Sequence, residues 1–181
     1  MIKLGIREDL EPRHKQDDVL RFGYLGQLDG RKRVDLVIKV FKAASADGEL
    51  VIAGIGAEDS ALRELAGVDR RIKFLGFVPD DSLVDFYNSL DYFIFPTRIE
   101  GYGLPMVEAM ACRKPVVVLE DVIIPPEIKS RCTAVSRLED FFSSLSSRCD
   151  LEENYRFAKE HRWDKCVKAY EELYGRIYQE A

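Results

Sequence analysis

From Leu20 onward the chain alternates between two rhythms. Short apolar runs rich in Val, Ile, Phe and Tyr are separated by stretches in which apolar residues recur every three or four positions. The runs at 20–26, 49–54, 72–76, 92–97, 115–120 and 133–136 predict strands. The stretches at 32–45, 58–66, 80–90, 104–112, 125–130, 137–147, 151–160 and 163–180 predict helices. Runs that are apolar on both faces fit strands covered on both sides, as parallel sheets are. The alternation therefore predicts an α/β fold: a doubly wound, mainly parallel sheet of about six strands with helices on both faces. Asp80 or Asp81 is expected to cap one helix, and Pro105 suits the first turn of another. The last helix carries Trp163, Val167, Tyr170, Leu173, Tyr174 and Ile177 on one stripe, which is expected to pack on the sheet. Residues 1–19 are polar and aperiodic and read as a leading segment. Residues 20–181 read as one domain, without repeats or an internal linker.

Composition narrows the function classes. A chain of 181 residues should bury roughly 70% of its unfolded surface, so its core needs no disulfide or metal staple. The net charge of −5 argues against nucleic acid as a partner. No apolar run approaches the roughly 20 residues that span a bilayer. Cys112, Cys132, Cys149 and Cys166 form no CxxC pair, and reduced, buried thiols are expected. Only His14 and His161 supply imidazole; both fall in polar stretches and are expected to be solvated. The chain reads as soluble and cytoplasmic.

Candidate chemistry lies where strands end, because open parallel sheets bind ligands beyond the carboxyl ends of their strands. Glycines recur there, at Gly26, Gly54, Gly76 and in the segment Glu100-Gly101-Tyr102-Gly103-Leu104-Pro105. This last segment precedes a predicted helix, so the amides of Tyr102, Gly103 and Leu104 form a ready anion cradle. Glu108, one turn into the helix, is suited to accept hydrogen bonds from vicinal hydroxyls. Glu100 points to another part of the same cleft. Arg31-Lys32-Arg33 at a helix start opposes the helix dipole, a local conflict that hints at an anionic ligand.

These residues carry a family resemblance. Glu100-x7-Glu108 within EGYGLPMVEAMAC, followed by KPVVV, resembles the signature of group 1 (family 4) retaining glycosyltransferases. GQLDGRKRVDLVIKVF, VIAGIGAED and FLGFVPDDSLVDFY are similar to that family's successive strand–turn segments, and HRWDKCVKAYEELY to its closing helix. The resemblance implies the C-terminal, Rossmann-like half of a two-domain GT-B enzyme, which binds a nucleotide sugar (a UDP-, GDP- or ADP-sugar) and needs no cofactor or metal. By residue, it implies that Gly26, Gln27 and Gly54 approach the donor and that Lys32 neutralises its diphosphate. It further implies that Tyr102, Gly103 and Leu104 donate amides and that Glu108 holds the ribose. Glu100 would contact the donor sugar on its reactive side, and Phe77 and Val78 would lie near the base. Three positions depart from the pattern: Gln27 stands for the usual Arg, Arg113 for a Gly, and Ile123-Ile124-Pro125-Pro126 for a glycine pair ahead of Glu127.

The resulting expectation is the donor half of a glycosyltransferase acting with retention. It would bind nucleotide but transfer nothing alone, because an N-terminal acceptor domain is required in cis or in trans. That domain could bring it to the inner face of a membrane. The alternative expectation is a non-catalytic nucleotide-binding module of the same descent, for which Gln27 is the supporting feature. An epimerase-like or phosphorylase-like relative is a third, less suited to the few acid–base groups present.

Overall fold

Apolar side chains on both faces define six short strands: β1 (Arg21–Leu25), β2 (Glu49–Ala53), β3 (Ile72–Gly76), β4 (Tyr92–Ile94), β5 (Val116–Leu119) and β6 (Thr133–Val135). A computed structural model describes residues 4–44, 47–145 and 149–180 of the chain. The strands form one sheet in the order β3-β2-β1-β4-β5-β6, with every pairing parallel. Helices fill the crossovers, α1 (Val34–Ala43), α2 (Asp59–Ala66), α3 (Asp80–Ser89), α4 (Leu104–Ala111) and α5 (Pro126–Lys129), and α6 (Leu138–Ser144), α7 (Leu151–Lys159) and α8 (Trp163–Glu180) follow β6. This is the expected doubly wound architecture. The predicted helix ends at 45 and 146–147 lie outside the described residues, as do 1–3 and 181.

The order reverses between β1 and β4. The chain runs outward from β1 through β2 and β3, then returns to the other side of β1 as β4. Loops after β1 and β4 consequently diverge and leave a crevice at their carboxyl ends. Beneath it, Phe22 of β1 anchors an aromatic cluster: its ring stacks on Tyr92 at 5.7 Å and meets Phe41 and Phe142 at 6.0 and 5.0 Å. Phe22, Phe41 and Phe141 are fully buried, and aromatic pairs of this kind add to the effect of burial alone.

Local expectations were met unevenly. Pro105 does sit in the first turn of α4. Asp80 and Asp81 do not cap α3; Pro79 is its N-cap, and the two carboxylates occupy the first turn, where they favour the helix dipole. The basic run does not open a single helix either. Gly30–Lys32 is a 3₁₀ turn capped by Asp29, and Arg33 then adopts a left-handed backbone (φ 52°) before α1 begins. No disulfide links the four cysteines among the described residues; Cys112 and Cys166 are buried and the other two half-buried.

The larger correction concerns α8. Trp163, Val167, Tyr170, Tyr174, Ile177 and Tyr178 are exposed, so the apolar stripe does not cover the sheet. Only Cys166 among the described side chains of this helix is buried. The period of three to four was read correctly, but periodicity marks a face without saying what covers it. Residues 4–19 hold no helix or strand of their own, yet Ile6 and Leu10 are fully buried, and Ile6 pairs with Arg162 ahead of α8.

Phe22→Ala is expected to lower the unfolding free energy by about 3–5 kcal/mol. Tyr178→Ala on the bare face of α8 should stay within about 0.5 kcal/mol of the parent. Urea denaturation of both variants checks this, and a large loss from Tyr178→Ala would contradict the exposed stripe.

Candidate functional site

The crevice is lined by the loops that leave the carboxyl ends of the strands. After β1, the Tyr24 hydroxyl donates to the Gln27 carbonyl at 2.8 Å and fixes the turn. Gly54, after β2, has φ +135°, and a side chain there would run into the Gly26 carbonyl, so glycine is required for the two loops to touch. Leu25, Gly26, Gln27, Gly54, Ile55, Phe77 and Val78 surround an apolar pocket of about 290 Å³. Five residues singled out from the sequence, Gly26, Gln27, Gly54, Phe77 and Val78, thus meet in one cavity. Phe77 and Ile55 are 68% and 60% exposed, which leaves flat apolar surface open to a ligand.

Lys32 and Glu100 meet across the crevice. The Lys32 ammonium donates to the Glu100 carboxylate and lies 5.3 Å from the centre of the Phe95 ring, beside which Tyr24 stacks. Their side chains are 11% and 25% exposed, so the pair is shielded but reachable. Next to it, the amides of residues 101–104 have no acceptor among the described residues. Gly103 turns the chain into α4 with a left-handed backbone (φ 83°), a conformation that glycine adopts without strain. The result is a cation and a row of free N–H groups at a helix N-terminus, an arrangement that binds anions.

Glu108 is half-buried on α4, and Oε2 accepts from the Tyr87 hydroxyl at 2.7 Å. Burial pushes its pKa up, and Asp80 adds to the rise; the Tyr87 hydrogen bond and the Arg7 charge oppose it. Tyr87 is fully buried, and burial followed by the Glu108 charge drives its own pKa well above the ordinary phenol value. The phenol therefore commits its one proton to Oε2 and orients the carboxylate. Tyr87 was missed from the sequence, where it read as one more apolar position of α3.

The remaining cations are otherwise engaged. Arg31 pairs with Asp29 at 2.9 Å. Arg33 donates to the Pro96 and Thr97 carbonyls and to Asp121, which makes it a brace between loops. Gln27 is exposed. Of the basic run, Lys32 is the residue that bonds Glu100. A larger cavity of about 450 Å³ between α1, β5 and α6 includes Arg33 and Arg137, but these pair with Asp121 and Glu139.

His161, expected to be solvated, is completely buried. Its Nδ1 lies 2.8 Å from the Phe157 carbonyl and its Nε2 2.6 Å from the Tyr102 hydroxyl. The polar residues around it in sequence misled, because His161 lies in the turn between α7 and α8, where it points inward while its charged neighbours do not. Arg113 occupies a left-handed position (φ 53°) after α4, and its guanidinium lies over the Tyr155 ring at 4.0 Å and bonds Glu152. Those contacts offset the roughly 1–2 kcal/mol such a backbone costs a non-glycine residue. Ile123 runs parallel to Ile99, and its carbonyl accepts from the Glu100 amide at 3.0 Å, so the segment that replaces the glycine pair braces the Glu100 loop.

Known proteins share this arrangement of strands and loops. The family model for glycosyl transferases group 1 matches residues 6–131. The chain belongs to the group 1 glycosyltransferases. It is 32% identical over 110 residues to the O-antigen chain mannosyltransferase B of Escherichia coli, covering 56% of this chain but 29% of that one. Among solved structures, sucrose-phosphate synthase of Thermosynechococcus elongatus superposes with a TM-score of 0.77 at 19% identity, over 99% of this chain and 53% of that one. Anabaena Alr3699/HepE in complex with UDP and glucose superposes at 0.75 and 16% identity, over 97% and 55%. At those identities the likeness is one of fold. This glycosyltransferase chain spans about half the length of these solved relatives. Among its described residues, no helix is long and apolar enough to cross a membrane.

Glu108→Gln should raise thermal stability at pH 7. A carboxyl whose pKa is raised on folding destabilises the fold once ionised, and the loss is recovered as pH falls back through the raised value. The melting-temperature advantage of Glu108→Gln should therefore shrink as the pH approaches 4.5. A variant less stable than the parent at pH 7, or a difference independent of pH, would contradict this reading of the site.

Proposed function

We propose that this chain is the donor-binding half of a glycosyltransferase that moves sugar from a nucleotide diphosphate sugar with retention of configuration. The observation that carries this reading is the contact of Lys32, across the crevice, with Glu100, the residue that leads into the free amides of 101–104. In the proposed complex the diphosphate lies between Lys32 and those amides. The Lys32 ammonium leaves Glu100 for the phosphate oxygens, and the amides of Tyr102, Gly103 and Leu104 donate from the opposite side. As the bond between the anomeric carbon and the diphosphate breaks, negative charge grows on the leaving group, and these fixed donors stabilise it without a metal. Glu108 accepts from the ribose hydroxyls. The base fills the apolar pocket against Phe77 and Val78. Glu100, released from Lys32, faces the sugar.

Names of similar proteins support a nucleotide sugar as the ligand class. The Anabaena protein was solved with UDP-glucose, and a Corynebacterium glutamicum relative is described as GDP-mannose-dependent. Transfer would require an acceptor domain in addition to this half, supplied in the same chain or by a partner, which could dock the enzyme on a membrane. A second reading, a nucleotide-binding module without transfer activity, draws on one observation: Gln27 is exposed and Arg33 is engaged by two carbonyls and Asp121, which leaves Lys32 as the cation of the basic run that bonds Glu100.

Thermal denaturation with millimolar UDP, GDP and ADP tests the reading. A ligand at a hundred times its dissociation constant adds about 2.7 kcal/mol, a shift of several degrees. One base is expected to give that shift, and Lys32→Ala or Glu108→Ala to abolish it. No shift with any of the three would contradict the proposal. Sugar transfer by the assembled protein that is lost in Lys32→Ala would support the transferase, and nucleotide binding by an assembled parent that transfers no sugar would favour the module.

A further inference from the structure

The amides of 101–104 donate to nothing among the described residues, so their own hydrogen bonds do not hold them in place. Gly101 has open space around its α-carbon, and Gly103 is the most permissive residue at a turn. A row of donors built on two glycines would ordinarily be mobile, and ordering it would subtract from the affinity for an anion. The Tyr102 side chain ties the segment down. It is half-buried, and its hydroxyl meets His161 Nε2 at 2.6 Å. The Tyr102 and His161 rings lie 5.8 Å apart.

His161 is well built to be the fixed end of this contact. A carbonyl can only accept, so the 2.8 Å contact to the Phe157 oxygen places a proton on Nδ1 and aims Nε2 at Tyr102. The imidazole packs against the Phe157 ring at 4.2 Å. Its backbone is clamped as well: His161 N–H donates to the Ala158 carbonyl, and the His161 carbonyl accepts from the Ile6 amide at 2.6 Å. The corner between α7 and α8 is thus a rigid post, remote in sequence from the loop it holds.

We propose that His161 is a positioning residue: by holding the Tyr102 hydroxyl it keeps the free amides of 101–104 aligned for a diphosphate. The inference rests on the donor-site reading given above. It differs from a packing role in one respect, because it ties His161 to the phosphates and not to the base.

The test is the ratio of two affinities. Calorimetric titration gives the affinity for the nucleoside diphosphate that the parent prefers among UDP, GDP and ADP. NMR titration gives that for the matching nucleoside, which has no phosphate. Tyr102→Phe, which keeps the ring and removes the hydroxyl, and His161→Leu should each weaken the diphosphate about three- to tenfold. Nucleoside affinity should stay unchanged. The double variant should be no weaker than either single one, since both remove the same contact. His161→Gln, which can present an acceptor near Nε2, should keep the parent ratio. If His161→Leu does not fold, Tyr102→Phe with His161→Gln still decides the matter. An unchanged ratio in Tyr102→Phe, or equal losses for nucleoside and diphosphate, would overturn the proposal while leaving the donor site intact. Failure of the parent to bind any diphosphate would overturn both.

Discussion

The binding edge of this domain depends on the reversal of strand order between β1 and β4. Parallel strands joined by crossovers point all their carboxyl ends the same way, and at the reversal the loops on either side must part. Lys32 comes from the loop after β1, and Glu100 with the 101–104 amides from the loop after β4. The Lys32–Glu100 ion pair bridges that gap. It joins groups that each have a use for a ligand: a cation that an anion would attract and a carboxylate that hydroxyls would occupy. A ligand that satisfies both can replace the pair without leaving either group without hydrogen bonds, so the crevice is closed but not sealed.

A similar device recurs one layer deeper. Tyr87 holds Glu108 and Tyr24 holds the turn at Gln27, each with a single phenolic proton. Burial of Glu108 works against stability, yet it leaves a carboxylate that is pre-aimed and poorly hydrated, which suits it to accept hydroxyl hydrogen bonds. Stability given up at one residue for readiness to bind is a common pattern at functional sites.

Much of the fold was legible because parallel sheets write themselves plainly: six doubly apolar runs, each followed by an amphipathic stretch. The strand-end glycines and the spacing from Glu100 to Glu108 pointed to the crevice for the same local reason, that turns need particular residues at particular places. Contacts between segments far apart in the chain could not be read. His161 lies 59 residues from Tyr102 and Tyr87 lies 21 from Glu108, and neither partner leaves a mark on the other's neighbourhood. Arg33 read as a ligand cation, but two carbonyls and Asp121 claim it. The stripe on α8 announced an apolar face correctly. Its exposure depends on where the chain turns after His161, and periodicity carries no information about that.

A crystal structure of the chain with the nucleoside diphosphate it prefers would decide whether the crevice is the phosphate site. Phosphate density is expected within hydrogen-bond distance of the Gly103 and Leu104 amides, with Lys32 turned from Glu100 onto the phosphates and the base against Phe77. Phosphates bound elsewhere, such as beside Arg33 and Arg137, or a bound nucleotide that leaves the Lys32–Glu100 pair intact, would contradict it.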